Sequence, residues 1–474
     1  MKTTVKFYSG ITTIGGVIME VIYDKHRVLL EIGTAYDPSL DIYDGTVLRR
    51  HQNWLKDALV LGQVPAIPGL FDREDLLDFD LLAAKECELD TLVFVSHLHL
   101  DHMSAMGMVS DRYPVYISEK ALKVEEALKK IGEGVLGHHH NYVYLQDREL
   151  VKNGKIEVLP FLEVKDSYEG YAFLIKTPDI TIHYTGDLWF EPKNERFIKQ
   201  LETIQNAKPD ILVIETTSFM DSTMEMIYGD VNAKVIADKE VPPGMLSTPQ
   251  MQEQLLATLK AQKGLCAINF YNREMSDIAM FEAFAKTCNR QLVLESPTAY
   301  LYYHFFEKEP YYLIPDTQSF ETGKQKGIEE LGGKGIRVTK AEINAHPEAY
   351  LIQNSYPYLL DLLDYNNKDA TYLHAQGMPI GEFDPAYQNL LRILKITGFD
   401  YVTFFSKNYF THPYPCQVKY YAEAVNAPVL IPSHGYHPER LLGTKTSKQF
   451  LPELGVSYIY DKEKKAMVKA CENG

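Results

Sequence analysis

A chain of 474 residues is too long for one ordinary domain and long enough to bury two separate cores. Its composition, 45% hydrophobic and 24% charged, excludes a disordered or fibrous protein. The formal net charge of −16 excludes a surface that is basic throughout, but not a local basic groove.

Five cysteines, Cys87, Cys266, Cys288, Cys416 and Cys471, are scattered without a CxxC pair, which suits a reducing compartment better than a disulfide framework. The N-terminus lacks an apolar signal-peptide core, and no run approaches the roughly 18 apolar residues of a membrane span. A cytoplasmic protein with no membrane partner is therefore expected. The basic run Lys324, Lys326, Lys334, Arg337 and Lys340 reads as a solvated face.

In chain order, residues 17–23 and 27–32 read as two strands of a hairpin turning at Asp24-Lys25-His26. Thr91 to Val95 is a compact apolar strand that delivers the chain into Ser96-His97-Leu98-His99-Leu100-Asp101-His102. Residues 180–184 form a strand ending at Thr185-Gly186-Asp187, and residues 211–214 one ending at Glu215-Thr216-Thr217. Strands that each present polar residues at one end make a layered α/β core with its site along that edge.

Ser247-Thr248-Pro249 then signals a helix start, and Met251, Leu255, Leu256 and Leu259 follow at helical spacing as core residues. Strands at 265–271 and 291–294 flank a helix at 276–288, which predicts βαβ units and a largely parallel sheet across roughly 222–390. A helix at 386–396, a strand at 400–405, a helix at 416–425 and a strand at 429–431 lead to Pro432-Ser433-His434-Gly435. A histidine again stands at a strand end, so this last stretch reads as a return to the first core.

The chemistry concentrates in His97-x-His99-x-Asp101-His102. Two histidines two apart cannot share a helix face, but after a strand both can point at one ion, leaving Asp101 and His102 for a second. Imidazole and carboxylate donors suit Zn²⁺, Mn²⁺ or iron. This motif resembles the signature of the metallo-β-lactamase superfamily. The resemblance implies an α/β fold with a four-layer αββα core and two divalent ions, Zn²⁺ or Mn²⁺. It also makes Asp187 a bridging ligand and Glu31 an orienting carboxylate, one methylene longer than the family's aspartate.

There is one departure. The superfamily places a third histidine where Asp166 stands. Aspartate can ligate and would shift preference from Zn²⁺ toward Mn²⁺ or Mg²⁺; otherwise the first ion is weak or lost. The triplet His138-His139-His140 is another source of imidazole, but reads as an exposed loop.

Other motifs narrow the resemblance. Glu215-Thr216-Thr217, Thr411-His412-Pro413 and Ser433-His434-Gly435 resemble three motifs of the β-CASP nucleases, with a spacing similar to ribonuclease J. Met378-Pro379-Ile380-Gly381-Glu382 is similar to a Pro-Gly-Asn-Glu segment of that enzyme, without its asparagine. The resemblance implies a core in residues 1–221 and 391–474 with a β-CASP-like α/β domain inserted at 222–390. His434 becomes a metal ligand, Asp101, Glu215 and His412 become catalytic, and a homodimer is expected. His412 would protonate a leaving alkoxide and Glu215 would orient its imidazole.

RNA is the expected substrate. A small ester, lactam or phosphodiester is the alternative, favoured by the acidic balance, and a non-catalytic RNA- or protein-binding relative is the third reading, supported by Asp166.

Overall fold

The computed structural model describes all residues except 39–41, 44–46, 51, 164–168, 220–240, 242–244, 315–321, 404–408, 410 and 471–474. The chain divides into two compact units: Met1–Leu122 with Val135–Pro243 and Thr411–Gly474, and Lys123–Gly134 with Gly244–Phe410.

The first unit holds two sheets. One has eight strands in the order Ala466–Lys469, Ser457–Asp461, Thr4–Ser9, Ile18–Tyr23, His26–Leu30, Asp90–Phe94, Val115–Ile117 and Tyr142–Tyr144. The other has seven, in the order Lys448–Gln449, Val429–Ser433, Ile211–Glu215, Thr181–Tyr184, Gly170–Lys176, Ile156–Glu163 and Val151–Asn153. The expected hairpin is present, with Met19 opposite Leu30 and a left-handed Asp24 at its turn.

Side-chain alternation along each strand assigns the layers. Val28, Leu30, Leu92 and Phe94 of the first sheet share one buried cluster with Phe173, Ile175, Ile182, Ile211, Val213, Val429 and Ile431 of the second. The intervening Leu212, Ile214 and Leu430 turn the other way. They pack with Phe197 and Ile204 of helix Glu195–Ala207 and Val418 and Tyr421 of helix Pro415–Val425. These strands are thus buried on both faces, which is why they read as unbroken apolar runs in the sequence. The result is two sheets packed face to face with helices over the second, three of the four layers of the expected αββα sandwich.

His183 lies on that outward face, fully buried. Its Nδ1 donates to the Phe173 carbonyl (3.1 Å), and its Nε2 accepts from the Tyr421 hydroxyl (2.9 Å). Burial pushes its imidazole down from 6.5 to about 4. Below the unfolded value the unfolded chain takes up a proton that folded His183 refuses, so stability present above pH 6.5 is lost as pH falls toward 4. The loss attributable to this one side chain is about 3 kcal/mol. Urea unfolding of metal-stripped protein at a series of pH values checks this: His183→Gln is expected to flatten the acid limb. An unchanged slope would contradict it.

The second unit carries a five-stranded sheet in the order Gln291–Val293, Tyr350–Gln353, Cys266–Phe270, Thr371–Ala375 and Asp400–Thr403, with every pairing parallel. Helix Thr248–Ala261 starts where the sequence indicates: Gln250 accepts from the Ser247 backbone N–H, and Pro249 occupies the first turn. The unit runs past residue 390, because strand Asp400–Thr403 hydrogen-bonds alongside Thr371–Ala375. The other expected boundary, between 221 and 222, lies outside the described residues.

Two local readings need correction. Lys324 is buried, not solvated: its ammonium is 2.7 Å from Asp361 and 3.8 Å above the Tyr358 ring. Lys340 pairs with Asp361 and Asp364, and Arg337 donates to the Tyr312 hydroxyl. In the histidine triplet, His138 and His140 are exposed, but His139 is buried with its ring nitrogens 3.0 Å from the Val109 and Asn141 carbonyls. No described helix is long and apolar enough to cross a membrane. Cys87, Cys266, Cys288 and Cys416 are free thiols.

Candidate metal centre

Three adjacent parallel strands of the seven-stranded sheet bring their carboxyl ends to one edge. Tyr184 is level with Val213, and Glu215 is level with Ser433, so Asp187, Glu215 and His434 emerge side by side. In the other sheet Leu30 is level with Phe94, which sets Glu31 beside the start of the Ser96–His102 loop.

Close backbone approach completes the geometry. A Cβ on Gly33 would stand 1.9 Å from the Asp101 carbonyl oxygen, and one on Gly435 would stand 2.2 Å from that of Thr216. Only glycine at these two places lets the loops close. His434 itself sits at φ 55°, strained for a non-glycine residue and held there by its N–H bond to the Gly10 carbonyl (2.8 Å).

Two donor clusters result. In one, ligand atoms of His97, His99 and Asp187 lie within 4.8 Å of one another; in the other, those of Asp101, His102 and His434 do. Asp187 faces both: one carboxylate oxygen is 3.4 Å from His97 Nε2, the other 3.1 Å from His102 Nε2 and 3.4 Å from His434 Nε2. A third grouping adds Glu215 to Asp187 and His434. Asp166 lies outside the described residues, so the first cluster has three donors among those described.

Hydrogen bonds on the outer nitrogens show that the donor set fits divalent cations. Glu31 Oε2 accepts from Ser96 N–H (3.0 Å), and its Oε1 stands 3.3 Å from His102 Nδ1 and from the Tyr184 hydroxyl. A carboxylate only accepts, so His102 carries its proton on Nδ1 and presents Nε2 inward as a bare lone pair. His97 Nδ1 likewise meets Ser96 Oγ (2.8 Å), and His434 Nδ1 meets Thr217 Oγ1 (2.8 Å). The inward nitrogens then face each other closely: His102 Nε2 to His434 Nε2 is 3.0 Å, and His97 Nε2 to His99 Nδ1 is 2.9 Å. At such separations each pair can share a proton or a cation, so the arrangement is compatible with bound divalent ions.

Without a cation, burial and the neighbouring carboxylates pull the charges of the site in different directions. Burial pushes His97 well below its ordinary value, helped by His102 and His99. Burial also disfavours charge on His102 and His434, but Asp187 and Asp101 outweigh it and raise both. For Asp101, burial is outweighed by the imidazoles of His102 and His434, and the carboxyl is held below the usual range.

A different pair adjoins these clusters. His412, just ahead of helix Pro415–Val425, places Nδ1 2.7 Å from Glu215 Oε2. Glu215 is buried, and its other oxygen accepts from the Leu188 N–H. The structure therefore brings together His97, His99, Asp101, His102, Asp187, Glu215, His412 and His434, but not the triplet His138-His139-His140. Sequence reasoning missed Ser96 and Thr217, whose hydroxyls meet ligand imidazoles; their adjacency to His97 and Glu215 was the available signal.

No family model matches the chain. Over 175 residues it is 27% identical to cleavage and polyadenylation specificity factor 73 of Drosophila melanogaster, covering 32% of this chain. The chain spans about a quarter (24%) of the length of that curated relative. Among solved structures, a protein of unknown function from Enterococcus faecalis V583 shares the fold. Its TM-score is 0.72 at 22% identity, over 97% of this chain and 100% of that one. The metallo-β-lactamase fold protein YhfI from Bacillus subtilis aligns over 46% of this chain and 73% of its own, at 16% identity and a TM-score of 0.29. The fold is thus shared with the Enterococcus protein, and the converging histidine and aspartate motifs remain a resemblance to the metallo-β-lactamase superfamily and its β-CASP branch.

Proposed function

We propose that the chain is a phosphodiesterase that cleaves RNA. The observation that carries this reading is the His412–Glu215 pair, 2.7 Å apart, beside the two donor clusters. Simple acyl hydrolysis has less need of a dedicated acid, whereas a ribose alkoxide is a poor leaving group and requires a proton.

His97, His99 and Asp187 would hold one divalent ion, and Asp101, His102, His434 and Asp187 the other, with Zn²⁺ or Mn²⁺ suited to these donors. Once bound, such ions lower the pKa of a coordinated water to about 7 and offset charge developing on the phosphoryl oxygens. Asp101, kept ionised by its neighbours, orients the attacking water. His412 delivers a proton from Nε2 to the departing oxygen while Glu215 accepts from Nδ1–H and stabilises the imidazolium. Asp166 remains the proposed fourth donor of the first ion.

One observation favours a smaller substrate: Lys324 and Lys340 are tied to Asp361 and Asp364 and are not displayed for phosphate. Incubation of Mn²⁺- or Zn²⁺-loaded protein with end-labelled single-stranded RNA separates the readings. Shortened products that depend on metal are expected. Intact RNA together with turnover of small esters or phosphodiesters would overturn the nuclease reading.

A further inference from the structure

Three imidazoles present Nε2 to the centre, and each has its Nδ1 tied to an oxygen: His97 to Ser96, His102 to Glu31 and His434 to Thr217. Only the tie to Thr217 continues into the proton-transfer pair. The buried Thr217 hydroxyl lies 2.5 Å from Glu215 Oε2, 2.8 Å from His434 Nδ1 and 3.1 Å from the His434 carbonyl.

A hydroxyl has one proton to give. The carboxylate is both the nearest and the only charged acceptor, so Thr217 donates to Glu215. Its oxygen can then only accept from His434, which fixes the proton on Nδ1 and leaves Nε2 bare. The opposite assignment, with Thr217 donating to Nδ1, would set two acceptor oxygens 2.5 Å apart with no proton between them. The backbone holds this arrangement in place. Thr216 N–H and Oγ1 both donate to the Ser433 carbonyl, at 2.7 and 2.8 Å, and Gly435 has no side chain to keep the loops apart.

We propose that Thr217 is a positioning residue whose hydroxyl sets the tautomer of His434 through Glu215, so that one carboxylate oxygen orients both a metal ligand and the acid His412. This inference rests on His434 being a metal ligand, as in the proposed function. The consequence is that the ion at Asp101, His102 and His434 depends on Glu215 through Thr217. Removal of an outer partner of a ligating histidine typically weakens metal binding about 10–100-fold.

The experiment is a Co²⁺ titration of the full chain, followed by visible absorption and equilibrium dialysis. Thr217→Val, which keeps the shape, and Thr217→Ala, which removes bulk, are both expected to bind the second ion about 10–100-fold more weakly with an altered d–d band. Thr217→Ser, which keeps the hydroxyl, is expected to restore wild-type affinity and spectrum. In a Glu215→Ala background, Thr217→Val is expected to add little. If the valine variant fails to fold, the alanine and serine variants carry the comparison. Wild-type affinity in the valine or alanine variant, a serine variant as weak as they are, or additive losses in the double variant would each overturn the proposal. Wild-type protein that binds no ion would instead overturn the reading of the site itself.

Discussion

Asp187→Ala is expected to empty both cation positions at once and to lower hydrolysis on the order of 10³-fold or more. Its two carboxylate oxygens face different clusters, one toward His97 and the other toward His102 and His434. No other described side chain holds that place between them. Single charge-stabilising groups in hydrolase sites are worth about 10²–10³ in rate, and this one positions two charges. Asp187 is also the foremost influence raising the imidazoles of His102 and His434 against burial. Plasma emission spectrometry of dialysed protein, alongside an activity assay, checks the prediction. Two ions retained by Asp187→Ala would show that the carboxylate does not bridge.

His412→Ala is expected to behave in the opposite way, keeping both ions and losing turnover. Its Nδ1 contacts Glu215 at 2.7 Å, and it stands only 3.8 Å from the nearest Asp187 oxygen, too far for a direct bond. A general acid contributes about 10²–10⁴ in rate, so kcat should fall by that factor with little change in KM. The deficit should shrink on a phosphodiester with a nitrophenolate leaving group, which departs without a proton. A loss of the same size on both substrates would mean that His412 is not the acid. The same variant with depleted metal would mean that it is a ligand.

Much of this site was readable before any fold was known, and the reason is local. His97, His99, Asp101 and His102 occupy one short loop after an apolar strand. Glu215 ends a strand, and Asp187 and His434 follow strands, that are buried on both faces along nearly their whole length. Where partners are distant in sequence, reading fails. Lys324 looks like a solvated cation because Asp361, which neutralises it, is 37 positions away. His139 looks like part of an exposed run because its carbonyl partner Val109 is 30 positions earlier. Strand Asp400–Thr403 was assigned to the first core because nothing local discloses its pairing with Thr371–Ala375. Thr217 escaped notice for a similar reason: a threonine after a strand is commonplace until His434, 217 positions later, is seen against its hydroxyl.

The central claim is that six side chains from three separate stretches of chain grip a pair of divalent cations. Anomalous diffraction at the metal absorption edge, from crystals grown with Mn²⁺ or Zn²⁺, tests it most directly. Two peaks are predicted, one bonded to His97, His99 and Asp187 and the other to Asp101, His102, His434 and Asp187, at bond lengths of about 2.0–2.2 Å. Ordered His97, His102 and His434 with no peak between them would contradict the account.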